Sequence, residues 1–395
     1  MSSPTPPPGL PSFRRRWPAR LRDRIAALAG ATPGVHLIGY AQGGLGLGEN
    51  LRRFAVAARQ GDMRFSLVDF AENLGDRARD PRLQDWISRD NPHPVNLLFI
   101  NADQTATARA HFGPAFFEGR RNIGFWFWEL SRFPQPWHEA FEWVDEVWVA
   151  TRFIESTLRP LTRKPIRRVT LPIELPPTGP YKRSDFGLPD RGFAFLFSFD
   201  FHSYAARKNP VGTIDAFRRA FPRGDEPALL VVKSINGHRA GPLLSQIREL
   251  AAPDPRIVLI DEFLDAERSQ GLLNVIDCYV SLHRAEGFGL GIAEAMFLGK
   301  PVIATDYSGN TDFTLADNSC LVPATLIPVG ADEYPFGEGQ VWAQPDIGVA
   351  AEHMRSLVAA PSKAQAVGLA GQQFIRLHHS NAACVASMRA ALRGR

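Results

Sequence analysis

The run from Cys278 to Phe313, CYVSLHRAEGFGLGIAEAMFLGKPVIATDYSGNTDF, constrains the fold more than any other part of the chain. Cys278 to Leu282 is an apolar run of strand length. His283 to Gly289 is a loop holding Glu286 and the glycines Gly287 and Gly289. Leu290 to Leu298 reads as a helix stopped by Gly299, which takes the position after the C-cap. Pro301 to Thr305 is a second short apolar run. Strand, glycine loop, helix, strand is one unit of a doubly wound sheet.

Ligands bind such sheets beyond the carboxyl ends of the strands. Glu286, in the loop, and Glu294, in the first helical turn, both fall there. On one continuous helix they would point about 80° apart. Bent through a glycine loop, both can face one crevice. Paired carboxylates suit neutral polyols, whose hydroxyls donate to them. The amides of Phe288, Gly289 and Leu290 at the helix start suit a diphosphate, and Gly287 and Gly289 let the backbone come close to it. The plainer alternative makes Glu294 a complement to the helix dipole and Glu286 a solvated loop residue. The strand–loop–helix context favours the functional reading.

The same alternation recurs along a chain of 395 residues, long enough for two domains. Apolar runs at 35–40, 65–70, 95–100, 122–127 and 146–150 read as strands of a first parallel sheet. Pro172, Pro176, Pro177 and Pro180 mark a boundary near 172–190. Runs at 193–199, 229–233 and 256–261 lead into the opening stretch. The expected fold class is α/β, with two doubly wound (Rossmann-like) domains facing a cleft. Residues 1–30 form a basic, Pro-rich tail, disordered in part. Residues 31–176 and 177–376 form the two domains, and 377–395 a terminal helix that crosses back to the first. Residues 326–344, with several Gly and Pro, read as an irregular loop.

Before the helix at 49–59 stands AQGGLGLGEN, whose Gly43 and Gly44 are expected to bring amides near an anion. Lys208, Arg207 and Lys233 lie just beyond strand ends, on the same rim as Glu286. Of the five tryptophans between 126 and 148, most read as core. Trp128 and Glu129, at a strand end, are set apart as site candidates. His138 falls in a predicted helix and reads as structural.

Net charge is +4 and the pI about 9.1. No aromatic–basic repeat or zinc spacing accompanies that charge, so nucleic acid is not an expected partner. Cys278, Cys320 and Cys384 are odd in number and contain no C-x-x-C, which argues against a disulfide framework or a zinc site and for a reducing cytoplasm. No run has transmembrane length. Six arginines between 14 and 24 flank Trp17. They read as a solvated tail; the functional alternative is an arm touching anionic headgroups at the inner face of a membrane.

The stretch with EGFGL, EAM and GKPVIAT closely resembles the E-x7-E motif region of family 4 retaining glycosyltransferases. The likeness covers roughly residues 35–375 and is stronger in the second half. It implies a GT-B fold and transfer of a sugar from a nucleotide-sugar donor to a hydroxyl of a glycan or lipid-linked acceptor. It implies retention at the anomeric carbon and no metal or other cofactor. Glu286 would contact the transferred sugar and Glu294 the nucleotide ribose. Lys208 matches the family's phosphate-binding lysine. The arginine that pairs with it is replaced by His202, which leaves Arg207 and Lys233 as candidates for the second diphosphate ligand. Glu129 stands where the family often carries an acceptor-facing His or Asp. The enzymatic alternative is a nucleotide-sugar epimerase of the same fold; a non-catalytic sugar-binding or scaffold protein is the alternative from another class.

Overall fold

The computed structural model describes residues 32–71, 79–88, 90, 92–239 and 241–394. The Arg-rich tail lies outside the described residues. Two parallel six-stranded sheets carry the chain.

The first sheet contains β1 (Val35–Gly39), β2 (Phe65–Asp69), β3 (Val95–Phe99), β4 (Arg121–Phe125), β5 (Glu146–Val149) and β6 (Ile166–Arg168), in the order β2-β1-β3-β4-β5-β6. The second contains β7 (Phe193–Asp200), β8 (Ala228–Ile235), β9 (Ile257–Asp261), β10 (Cys278–Ser281), β11 (Val302–Thr305) and β12 (Cys320–Val322), in the order β12-β11-β10-β7-β8-β9. β1, β3, β10 and β11 are buried at every position. Helices on both faces explain why these strands read as continuous apolar runs rather than alternating ones. The fold is therefore two Rossmann-like α/β domains.

In the second sheet the strand order reverses between β7 and β10, which pair directly. Loops leaving two such neighbours head to opposite faces and open a crevice between them. The loop after β7 carries Arg207 and Lys208; the loop after β10 carries Glu286.

The helices used below are α1 (Gly46–Gln60), α2 (Thr105–Phe112), α3 (Arg152–Leu158), α4 (Pro210–Ala220), α5 (Gly241–Ala251), α6 (Ala266–Val275), α7 (Leu290–Phe297), α8 (Ile347–Ala359), α9 (Pro361–His378) and α10 (Asn381–Leu392). α1 lays Leu51, Phe54, Ala55 and Ala58 on the first sheet. Phe54 meets Phe99 and Phe125 at centroid distances of 4.9 and 5.2 Å; burying one such ring contributes about 1.5–3 kcal/mol. α10 packs on α1: the Arg389 guanidinium donates to Gly61 O at 2.6 Å, and Asn381 Nδ2 to Gln60 Oε1 at 2.8 Å. The last helix thus leans on the first lobe. Among the described residues no helix is long and apolar enough to cross a membrane.

Two local readings need correction. Residues 326–344 are not all irregular: β13 (Ala324–Pro328) and β14 (Val341–Pro345) pair antiparallel. The glycines that suggested a loop sit in the connection, 329–340. Trp128 is core rather than site: it is buried, and its indole N–H donates to Arg132 O at 2.8 Å.

The first turn of α1 crosses the glycine loop so closely that a Cβ at Gly48 would collide with the carbonyls of Tyr40 and Gly43. Gly48→Ala should cost about 1–3 kcal/mol by overpacking. A lower urea midpoint at unchanged slope is the expected result; an unchanged midpoint would show that the loop yields freely.

Candidate active site

Glu286 lies in the loop after β10, at the reversal of strand order. Its carboxylate accepts from Arg207 Nη1 at 3.1 Å and from Lys208 Nζ. Its amide donates to Ser308 Oγ at 2.8 Å, and its carbonyl accepts from Gly309 N at 2.9 Å. Only glycine fits at 309, since a Cβ there would strike the backbone of Gly287 and Phe288. The loop after β7 is tied to the same place. Asn209, in a left-handed conformation, caps α4 through its side-chain oxygen and donates from Nδ2 to Leu282 O at 2.9 Å. Arg207 O accepts from Arg284 N at 2.7 Å. Arg207 also donates to Ala285 O at 2.7 Å. His283, fully buried, bridges Ser281 Oγ and Asn310 Oδ1, which holds the floor rigid.

Burial alone would raise the Glu286 pKa. Lys208, Arg207 and His283 outweigh it and bring the carboxyl down to about 2. Burial and the neighbouring Arg207 lower the Lys208 pKa, against the pull of Glu286. The site is thus an anion wedged between two cations that burial makes costly to leave unpaired.

A cavity of about 1010 Å³ lies between the lobes; Glu294, Gly291, Lys233, Phe263 and Arg53 are among its lining, whereas Glu286, Lys208 and Arg207 are not. Glu294 does not meet Glu286's cations. It accepts from Arg53 Nη2 at 2.5 Å, a contact from α1 in the first lobe to α7 in the second. Arg53 also holds Glu49 at 2.9 Å, while its Nη1 has no hydrogen-bond partner. Burial raises the Glu294 pKa, Arg53 lowers it and Glu49 raises it, for a net upward shift. Glu49 is held at about 2: burial raises it, and Arg53, Arg82 and Arg52 prevail. A second tie between the lobes runs from Thr151 Oγ1, at the start of α3, to Gly287 O at 3.0 Å.

The other expected residues are distributed as follows. Lys233 is buried, donating to Ser234 O at 2.7 Å and Glu262 O at 2.5 Å; burial brings its ammonium down to about 8 against Asp261, Glu262 and Asp200. Phe288 is buried against Phe313, and Gly289 takes φ 97°, so the helix start at Leu290 follows a left-handed turn. The Gly43 amide is engaged by Tyr40 O at 3.0 Å, and the carbonyl of Gly43 accepts from Arg52. Gly44 lies in the same loop, between that bond and α1. Glu129 Oε2 accepts from Tyr334 Oη at 2.5 Å. His138 lies in a 3-10 segment, its ring stacked on Phe133. Arg53 and Tyr334 were not among the sequence candidates. Glu49 four positions before Arg53 signals an ion pair on α1, but nothing local signals the approach to Glu294. Among the described residues no group of three His, Cys, Asp or Glu side chains is placed to hold a metal ion.

Residues 204–329 match the family model "Glycosyl transferases group 1". No curated protein sequence matches the chain. Among solved structures, HepE from Anabaena, in complex with UDP and glucose, is 13% identical at a TM-score of 0.63 and covers 92% of this chain and 100% of its own. A sucrose-phosphate synthase from Thermosynechococcus elongatus is 15% identical at 0.64, covering 91% and 98%. A TarM variant from S. aureus, in complex with fondaparinux, α-GlcNAc-glycerol and UDP, is 13% identical at 0.57, covering 79% of this chain and 57% of its own. At such identities the likeness speaks to fold, which is of GT-B type. The family match over the lobe that carries Glu286, joined to that fold, makes the chain a glycosyltransferase enzyme.

Between pH 4.5 and 2 the native protein binds fewer protons than the unfolded chain at Glu286 and Glu49, so stability falls as pH falls through that window. Replacing Glu286 by Gln removes one of these groups. Urea titrations at pH 5, 4 and 3 should then show a slope shallower by up to about 1.4 kcal/mol per pH unit. An identical slope would mean that Glu286 is not held ionised.

Proposed function

We propose that the chain moves a sugar from a nucleotide-sugar donor to a hydroxyl of a glycan or lipid-linked acceptor, with retention at the anomeric carbon. The observation that carries this reading is the Glu286 carboxylate, clamped by Lys208 and Arg207 at the strand-order reversal of a lobe whose Glu294 and Lys233 line the interlobe cavity. A cavity of that size accommodates a nucleotide diphosphate and its sugar.

In this reading the nucleoside lies in the cavity. Glu294 takes the ribose hydroxyls in place of Arg53. Lys208, the more accessible of the two cations on Glu286, turns toward the diphosphate. Lys233 lines the cavity and Arg207 is spent on Glu286 and Ala285 O, which favours Lys233 as the second phosphate ligand. First-turn amides of α7 face the same anion. The diphosphate gains negative charge as the glycosidic bond breaks, and fixed cations in a closed site stabilise that charge. Glu286 accepts hydroxyls of the transferred sugar. The acceptor hydroxyl enters on the leaving-group face, its proton passes to the departing phosphate oxygen, and its oxygen bonds to the anomeric carbon. The two lobes exclude water, which limits hydrolysis. Support for a nucleotide sugar comes from HepE and TarM, whose crystals contain UDP; HepE also takes UDP-glucose.

Incubation with UDP-, GDP- and dTDP-sugars, with and without glycan acceptors, tests the reading. Acceptor-dependent nucleotide release is expected, with a product whose anomeric configuration by NMR matches the donor. Glu286→Gln should lower kcat by at least about 100-fold, the scale of losing one group that acts on developing charge. An inverted product removes the retaining mechanism. Donor interconversion without acceptor points to epimerisation instead, and binding without turnover to a non-catalytic protein.

A further inference from the structure

The connection between β13 and β14 belongs to the second lobe by sequence but is pinned to the first. Arg132 N donates to Gln340 Oε1 at 2.9 Å, the Arg132 guanidinium to Gly339 O, and Gln340 Nε2 to Phe336 O at 2.7 Å. This places Tyr334 against Trp128 at a centroid distance of 5.5 Å. The Tyr334 hydroxyl holds Glu129 Oε2, and its ring lies 6.0 Å from the Arg207 guanidinium that grips Glu286. One tyrosine therefore touches both the carboxylate on the first lobe and the cation that orders the carboxylate on the second.

Glu129 reaches the reaction centre from the other side. Its Oε1 lies 3.7 Å from where a Cβ of Gly287 would stand, next in sequence to Glu286. Tyr334 is on Oε2, and Oε1 is the oxygen turned to Gly287.

Above Tyr334, at 4.9 Å between centroids, stands Tyr204. The residue is 44% exposed, and its backbone is left-handed at φ 59°. Phe336, 46% exposed and also left-handed at φ 54°, lies in the same connection and meets Trp137 at 5.3 Å. Strained backbone that presents rings to solvent does not serve the core; such conformations persist at ligand sites, where surroundings hold them. The exposed Tyr204 ring stands on the tyrosine that holds the Glu129 carboxylate, so an aromatic face and a carboxylate lie on either side of one residue. A pyranose ring fits both parts: its C–H face packs on an aromatic ring, and its hydroxyls donate to carboxylates.

On the reading given under Proposed function, we infer that Tyr204 is the stacking floor of an acceptor-sugar subsite, with Glu129 Oε1 accepting the ring's hydroxyl. Tyr334 is the positioning residue that fixes both. The acceptor is a neutral pyranoside presented from the side of the first lobe, on a shelf completed by the second.

The test uses the full chain loaded with whichever of UDP, GDP or dTDP binds by calorimetry. Saturation-transfer NMR then compares methyl β-D-glucopyranoside, methyl β-D-galactopyranoside and methyl α-D-mannopyranoside with acyclic sorbitol. At least one pyranoside should show ring C–H enhancement in the wild type and in Tyr204→Phe. The enhancement should fall about five-fold in Tyr204→Ala, the size of one aromatic contact, and sorbitol should show none. Tyr334→Phe keeps the ring and loses the hydroxyl. With the donor found active, it should lower kcat about ten-fold while the acceptor KM stays within two-fold, the split expected of an orienting hydrogen bond. Enhancement in Tyr204→Ala equal to wild type, no pyranoside enhancement at all, or equal response from sorbitol overturns the subsite. An unchanged kcat in Tyr334→Phe overturns the positioning role. Failure of all three nucleotides to bind the wild type defeats the transferase reading and the subsite with it, whereas nucleotide binding without pyranoside contact defeats the subsite alone.

Discussion

A buried carboxylate between two buried cations is a costly arrangement, and the second lobe is built to hold it. Removing the Glu286 carboxylate would leave two cations buried without their shared anion, a loss on the order of 3–5 kcal/mol. The loops that avoid this loss come from two strands, β7 and β10, that are neighbours in space but 78 positions apart at their Lys208–Glu286 contact. Asn209, Ser308 and Gly309 fix the backbones on either side. The sheet's change of direction at β7 and β10 is what allows the two loops to meet. Strand order therefore leads to charge placement, and charge placement is what the proposed diphosphate and sugar site rests on.

The lobes are joined at that site, not only at their hinge. Arg53 crosses from α1 to Glu294, Thr151 to the Gly287 carbonyl, and the β13–β14 connection to Arg132. α10 adds contacts to the far end of α1. Arg53 occupies the carboxylate that the proposed reading gives to the ribose; on that reading donor entry would exchange a contact between the lobes for one with ligand. Opening and closing of the lobes would then be coupled to nucleotide occupancy, by an amount no larger than the difference between those two contacts.

Much of the fold was legible because strands buried on both faces are short, continuous apolar runs that stand out between glycine and proline. Glu286 and Lys208 were legible as residues of one rim because each follows a strand of one sheet on its carboxyl side; that they form an ion pair was not. Strand order was not, since pairing of β7 with β10 is decided by tertiary packing. Arg53 reads locally as a surface cation on a helix; its partner lies 241 positions away. Tyr334 was hidden by the glycines around it, which read as loop and concealed the hairpin that carries it. Trp128 was misjudged because its place at a strand end said nothing of the Arg132 carbonyl that satisfies its indole.

Where the donor sits is measured directly by a crystal structure with an intact nucleotide sugar. The expected result is a sugar hydroxyl on Glu286, the ribose on Glu294 with Arg53 displaced, and the diphosphate against Lys208 and the start of α7. A nucleotide bound away from the carboxyl ends of β7 and β10, with Glu286 still capped by both cations and Arg53 still on Glu294, would contradict it.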